Sequence, residues 1–312
     1  MADIRPFACI RPCREKAGRI AALPYDVYNR EEAKEEVLRE PESFLKIDRA
    51  ETQFDDSVDT FAPQVYQRAH DTLWEMVEKG DFIREKKPCY YIYELTMNGR
   101  TQTGIAACAS IDDYQNGTIK KHENTREEKE QDRIRHVDIC NAQTGPIFLA
   151  YRENSTITSV VAEIKKLDAE YDFTSLDGIR HRVWVIEKEE DIEKISQAFS
   201  GISRIYIADG HHRAASAVKV GLKRRAKHPD YTGEEEFNYF LSVLFPDEGL
   251  YIMDYNRVVK DLNGMTEEEF LGKMQEIFEV SVLELSLIHI SDNGYGSRMF
   301  HELHASFAGN CA

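Results

Sequence analysis

Apolar residues recur along this chain with two periods, one near 3.6 and one of two, and the segments they mark alternate from one end to the other. Asn29 followed by Glu32 predicts a capped helix over Glu31 to Glu40, ended by Pro41. Phe61 to Lys79 carries Val65, Ala69, Leu73, Met76 and Val77 at helical spacing. Tyr90 to Thr96 and Thr101 to Ile111 flank Met97-Asn-Gly-Arg100, which predicts a β-hairpin, because Asn-Gly readily takes the positive φ of a type I′ turn. Thr118 to Lys121 reads as a short strand, and Asn124-Thr125 with Glu128 as a capped helix start running to Ile139. Three more apolar strands are expected at Arg182–Ile186, Arg204–Ala208 and Tyr239–Phe245, with helices at Thr158–Tyr171, Asp191–Ser200 and Ala214–Val220. Thr266 to Glu269 caps a further helix with Phe270, Met274, Ile277 and Phe278 on one face, and Val280 to Leu283 begins a strand. The expected class is mixed α/β or α+β.

Composition narrows this picture. A chain of 312 residues can fill one large or two ordinary domains. It has no apolar run long enough to span a bilayer, and the N-terminal MADIRPFACIRP is charged where a signal peptide would be apolar, so a cytoplasmic location is expected. Six scattered cysteines without a CxxC pair read as reduced, small apolar residues. Fifty-six acidic against forty basic residues give a formal charge of −16, which disfavours nucleic acid or an anionic membrane as partner.

Two polar junctions carry the candidate chemistry. In IADGHHRAASA, a strand runs into Asp209-Gly210-His211-His212-Arg213, and small residues then start a helix. A helix N-terminus has free N–H groups and a partial positive charge, so it suits an anion; Gly210 permits close approach, and His212 and Arg213 add donors. The plain alternative is a tight turn with Asp209 as cap. Zinc is disfavoured, because adjacent histidines lack spaced partners. The second junction, TIKKHENTREEKEQDR, again joins a strand end to a helix start and offers Lys120, Lys121, His122, Glu123, Asn124 and Thr125. Its alternative reading is a solvated charge run, expected of Glu127 to Asp132 in any case, with Glu123 placed ahead of the cap where it can face a cleft.

Taken together, GTIKKHENTREEKEQDR, IADGHHRAASA, the N-terminal RPFACIRP...ALPYDVYNREEAKE...PESFLKIDR and the later YFLSVLFPDEGLYIMDYNRVVKDLNG resemble the bacterial and archaeal family known as domain of unknown function 1015, over about residues 4 to 284. That family is similar to free serine kinases of the SerK and SbnI type, with a ParB/sulfiredoxin-like nucleotide-binding fold. The resemblance implies a kinase that moves a phosphoryl group from ATP or ADP, with magnesium, to the hydroxyl of L-serine. It implies that Asp209, Gly210, His211, His212 and Arg213 hold the phosphates, with Lys121, Asn124 and Thr125 beside them and Asp209 as a candidate metal ligand. By the same likeness His122-Glu123 matches a pair whose glutamate is the catalytic base. It also implies an N-terminal α/β segment over residues 1–117 and a nucleotide-binding region over 118–284 with an insert at Thr156 to Leu176; residues 1–85 gain no role from it. The absence of GxxxxGK[ST], HRD and DFG strings excludes the common kinase scaffolds.

Beyond Leu285 the pattern is expected to fail. Leu285-Ser-Leu-Ile-His-Ile-Ser291 resembles a translated transposon end, so Leu285 to Ala312 is expected to be a foreign, weakly packed tail replacing a substrate-holding segment.

Overall fold

A computed structural model of the chain describes residues 1–251, 259–278 and 280, together with the backbone of Ala308–Gly309. Twelve strands are found among these residues: β1 Ile4–Arg5, β2 Cys9–Pro12, β3 Phe82–Arg84, β4 Tyr90–Met97, β5 Arg100–Ser110, β6 Ile119–Lys120, β7 Ile147–Tyr151, β8 Tyr171–Thr174, β9 Arg180–Ile186, β10 Ile205–Asp209, β11 Tyr239–Pro246 and β12 Ala308–Gly309. Nine form one mixed sheet in the order β6-β10-β7-β11-β5-β4-β9-β8, with β1 paired to the far end of β5. β6/β10 and β7/β11 are parallel and the other pairs antiparallel. The mixed α/β class is therefore as expected.

Side chains alternate across a strand, and this sheet buries both faces. Tyr90, Ile92, Ile105, Ala107 and Ala109 pack on one side beneath helices Ser155–Ile164, Glu189–Ser200 and His211–Lys227. Tyr91, Tyr93, Ala106 and Cys108 join Phe7, Leu241 and Phe245 on the other. A third core holds Phe44, Leu45, Ile47, Leu73, Met76 and Phe82, packed between the N-terminal helices and β3. The five described cysteines are free thiols and four are buried, as small apolar residues would be.

The predicted hairpin turns at Asn98 (φ 50°) and Gly99 (φ 78°), the two positive values that type I′ requires. Asn29 and Glu32 close a capping box on helix Arg30–Arg39, and Pro63–Glu78 buries Val65, Ala69, Leu73 and Met76. Two expectations need correction. The helix expected over Thr158–Tyr171 stops at Ile164, because Tyr171 to Thr174 pair antiparallel with β9 and the buried Tyr171 belongs to the opposite sheet face. The helix expected from a Thr125–Glu128 cap begins at Glu127 with Arg126 as N-cap, because the Thr125 hydroxyl is drawn to Glu130 instead.

The expected domain boundary at 117/118 falls within the large sheet, where β5 pairs with β11. Met1–Leu250 and His301–Ala312 form one compact unit, and Tyr251–Phe300 a second. Within the second, Thr266 caps helix Glu267–Gln275 through a capping box with Glu269, as predicted. The predicted strand Val280–Leu283 and the expected tail lie outside the described residues, except for Val280 and for Ala308 and Gly309, whose backbone pairs with Ile10 and Cys9 of β2.

Candidate functional site

The two polar junctions meet because β6 and β10 are parallel neighbours. Ile119 is in register with Ile205 and Lys120 with Tyr206, so both strands deliver their following loops to the same end of the sheet. In open α/β sheets this carboxyl end is where ligands bind. β10 passes through Gly210, at φ 89° and ψ 31°, straight into helix His211–Lys227. Gly210, not Asp209, is the N-cap, and no side chain caps this helix. A Cβ at Gly210 would lie 3.1 to 3.2 Å from the Arg213 guanidinium, in a backbone conformation that L side chains rarely adopt.

His211 is the buried centre of the junction. Its side chain is 3 % exposed, its Nδ1 lies 3.4 Å from Glu123 Oε1, and its ring meets that of His122 edge-on with centroids 4.3 Å apart. The amide N–H of His122 points at Nε2 from 3.5 Å, which leaves the ring proton on Nδ1, facing the Glu123 carboxylate. Burial, and after it His122, push the His211 imidazolium down from the ordinary histidine range. Through Nδ1–H, His211 orients Glu123, whose side chain is half exposed. The atoms of His122, Glu123 and His211 that could bind a metal all lie within 4.8 Å of one another, and these three residues, without Asp209, form the candidate ligand group among the described residues.

His212 fastens the facing loop: its Nε2 accepts from the Arg126 amide N–H at 3.0 Å, the end of helix Glu127–Cys140 that has no side-chain cap of its own. Ser216 Oγ, one turn later, lies 2.7 Å from the His212 carbonyl and 3.2 Å from that of Glu130. The charge run expected to be solvated is thus partly interior. Glu130 is 4 % exposed and takes bonds from Thr125 and Lys219, which hold its carboxyl below the usual range against the opposing pull of burial.

The remaining predicted residues are spread around this centre. The Arg213 guanidinium turns inward, donating to the Pro146 carbonyl at 2.5 Å and to Asp209 Oδ2 at 2.6 Å, so that it braces the turn. Asp209 keeps its side chain 65 % exposed despite that pair. Lys121 lies over the Tyr114 ring at 4.4 Å, Thr125 serves Glu130, and Asn124 is exposed on the loop between them.

Hydrophobic periodicity missed a second polar region. Helix Glu127–Cys140 buries Glu130, Arg133, His136 and Cys140, a helical stripe made mostly of polar groups. Arg133 lies 4.1 Å over the Tyr25 ring and contacts Asp132 Oδ2 at 2.9 Å, and Asp132 accepts from the Tyr66 hydroxyl. Asp48, 7 % exposed, accepts from Thr144 at 2.6 Å; burial pushes its carboxyl up to about 6, against the pull of Arg133. Burial, and then Arg133, push His136 down to about 4. These groups wall a cavity of about 760 Å³ whose narrow continuation reaches Arg213. The signal available in the sequence was charged residues recurring every three positions where a helix should be apolar.

No helix among the described residues is long and apolar enough to cross a membrane. No curated protein and no solved structure matches the chain. A family model does: it spans residues 4–309, past the point near 284 where the likeness was expected to stop, and the chain belongs to the family described as Protein of unknown function (DUF1015).

Proposed function

We propose that this chain is a nucleotide-dependent phosphotransferase that phosphorylates the hydroxyl of free L-serine, using ATP or ADP and magnesium, on a ParB/sulfiredoxin-like nucleotide-binding core. The observation that carries this reading is the meeting of an exposed, histidine-oriented carboxylate with an uncapped helix N-terminus: Glu123 lies 3.4 Å from His211, the first residue of the helix that Gly210 opens.

The chemistry suits these groups. A serine hydroxyl is a weak nucleophile at neutral pH and needs a positioned carboxylate to take its proton as the new O–P bond forms and the bond to the nucleotide's bridging oxygen breaks. Glu123 takes that proton. His211, through its Nδ1–H, fixes the carboxylate in place. The first-turn N–H groups of helix His211–Lys227 offer the phosphates the donors and partial positive charge that they require. Glu123 offers an exposed carboxylate oxygen of the kind a magnesium ion prefers, and that ion would neutralise phosphate charge when bound; Asp209 stands outside the candidate ligand group, with Oδ2 held by Arg213. Arg213 acts from behind, holding Asp209 and the turn in place.

The test is to incubate the protein with magnesium, L-serine and either ATP or ADP and to follow O-phosphoserine by mass spectrometry. Phosphoserine with wild type and not with Glu123→Gln is the expected result. Nucleotide that binds without any phosphoserine, or is hydrolysed with or without serine, would replace this reading with a nucleotide-binding regulatory protein.

A further inference from the structure

The cavity of about 760 Å³ lies between helix Glu127–Cys140 and the N-terminal segment, residues 1–85, to which the likeness to serine kinases assigns no role. Several of the polar groups that line it are already committed. Arg49 donates to Glu51 and to the carbonyls of Tyr25 and Tyr28, and His136 lies 3.2 Å from the Ile47 carbonyl. Two groups are not. Asp48 accepts one hydrogen bond, on Oδ1 from Thr144, and forms no ion pair among the described residues although it is 7 % exposed. Arg133 spends Nε and Nη2 on Asp132, and its Nη1 has no protein partner among the described residues. Both also wall the narrow continuation of the cavity, yet no Asp48–Arg133 pair lies within 4.0 Å.

Asp48, which forms no ion pair among the described residues, and Arg133, which keeps Nη1 after Asp132 takes Nε and Nη2, share the cavity without touching, and a ligand carrying both complements would complete them, since a buried charge is costly to leave incompletely paired. An inorganic anion would satisfy Arg133 and be repelled by Asp48, and a nucleobase carries neither charge. Phe61, Val65 and Tyr66 also line the cavity and give it an apolar surface suited to a larger side chain than that of serine. We propose that this cavity binds a free α-amino acid with a large apolar side chain, its ammonium group on Asp48, its carboxylate on Arg133 and its side chain against Phe61, Val65 and Tyr66. The site is separate from the phosphoryl-transfer junction and stands whether or not Glu123 acts on serine. Because the narrow end of the cavity is also walled by Arg213, which braces the Gly210 turn, an occupant there is placed to influence the junction.

Calorimetry with L-leucine, L-phenylalanine and L-serine, alongside isoamylamine and 4-methylpentanoate, tests the proposal without any turnover. The apolar amino acids are expected to bind, and the two analogues that each lack one charge are expected to bind about tenfold or more weakly, as is L-leucine to Asp48→Asn or to Arg133→Gln. Asp48→Asn keeps the Thr144 contact and removes a buried charge, so it remains informative if Arg133→Gln fails to fold. The proposal is overturned if none of the amino acids binds, if serine binds as tightly as leucine, if the singly charged analogues match leucine, or if ADP displaces leucine competitively.

Discussion

The junction at Glu123 and His211 and the cavity at Asp48 and Arg133 are both polar, yet they are assembled in opposite ways. The junction joins two short, contiguous stretches, each the exit of a strand, and leaves its carboxylate half exposed. The cavity draws Tyr25, Asp48, Arg133 and Thr144 from four separate segments and buries its charges almost completely. An exposed group costs little to keep ready for reaction, whereas a buried, incompletely paired charge lowers stability until something binds to it. Substitutions should therefore impair chemistry in the first region and shift stability in the second.

The largest effect that would break this contrast is at Glu123. Glu123→Gln is expected to slow phosphoryl transfer by on the order of a hundredfold to ten-thousandfold, the usual worth of a positioned base, while leaving nucleotide affinity and the melting temperature nearly unchanged. Steady-state kinetics beside a thermal melt check both halves, and a large drop in stability would mean that Glu123 is structural.

Gly210→Val comes next, because it forces a β-branched residue to φ 89° and brings Cβ to about 3.1 Å from Arg213. A cost of about 1–3 kcal/mol in stability is expected, with loss of nucleotide binding, measurable by urea unfolding and calorimetry.

Asp48→Asn should move the other way. The folded state raises this carboxyl from 3.8 to about 6, so the stability that Asp48 contributes is fully present below pH 3.8 and is lost as pH rises through about 6. Removing the charge is expected to raise stability by about 2 kcal/mol at pH 8 and to change little near pH 4, as read from melts across that range. His136 has the opposite sign: its folded value is depressed to about 4, so its contribution is present above 6.5 and lost as pH falls towards 4. A stabilisation by Asp48→Asn that did not depend on pH would refute the buried-charge account.

The smallest effect sharpens the junction. His212→Ala removes the acceptor for the Arg126 amide and should cost about 1 kcal/mol, as the loss of a helix cap does, with reduced turnover because the Glu123 loop is no longer fastened. Unchanged stability and turnover would remove His212 from the architecture.

The difference in assembly also decides what could be read from the sequence. The Asn98-Gly99 hairpin, the Asn29–Glu32 capping box and the apolar stripe of Pro63–Glu78 are local, each encoded within about four turns of chain, and all three were legible. So were the two junctions, since each keeps its polar residues contiguous. Their proximity was not legible, because it depends on β6 pairing with β10 across some 85 residues. Thr125 misled because a threonine before a glutamate resembles a cap, and only the tertiary position of Glu130 and Lys219 diverts its hydroxyl. Tyr171 misled because a buried aromatic residue in phase with the preceding helix looks like its continuation. The cavity was invisible for a plainer reason. A buried face built from Glu130, Arg133 and His136 has the charge pattern of a solvated one, and only partners such as Lys219 and Tyr25 reveal that it is interior.

β6 is two residues long and lies at the margin of the large sheet, joined to β10 through Ile119, Lys120 and the Thr118 carbonyl, which accepts from the Ile205 amide. Strand margins of this kind fray long before a core opens. Glu123, the proposed base, therefore follows a short strand at the margin of the sheet, and the amides around Lys120 should exchange with solvent far sooner than those of β5 or β11. Function in this molecule should be lost to fraying at one edge at temperatures where the sheet interior is still intact.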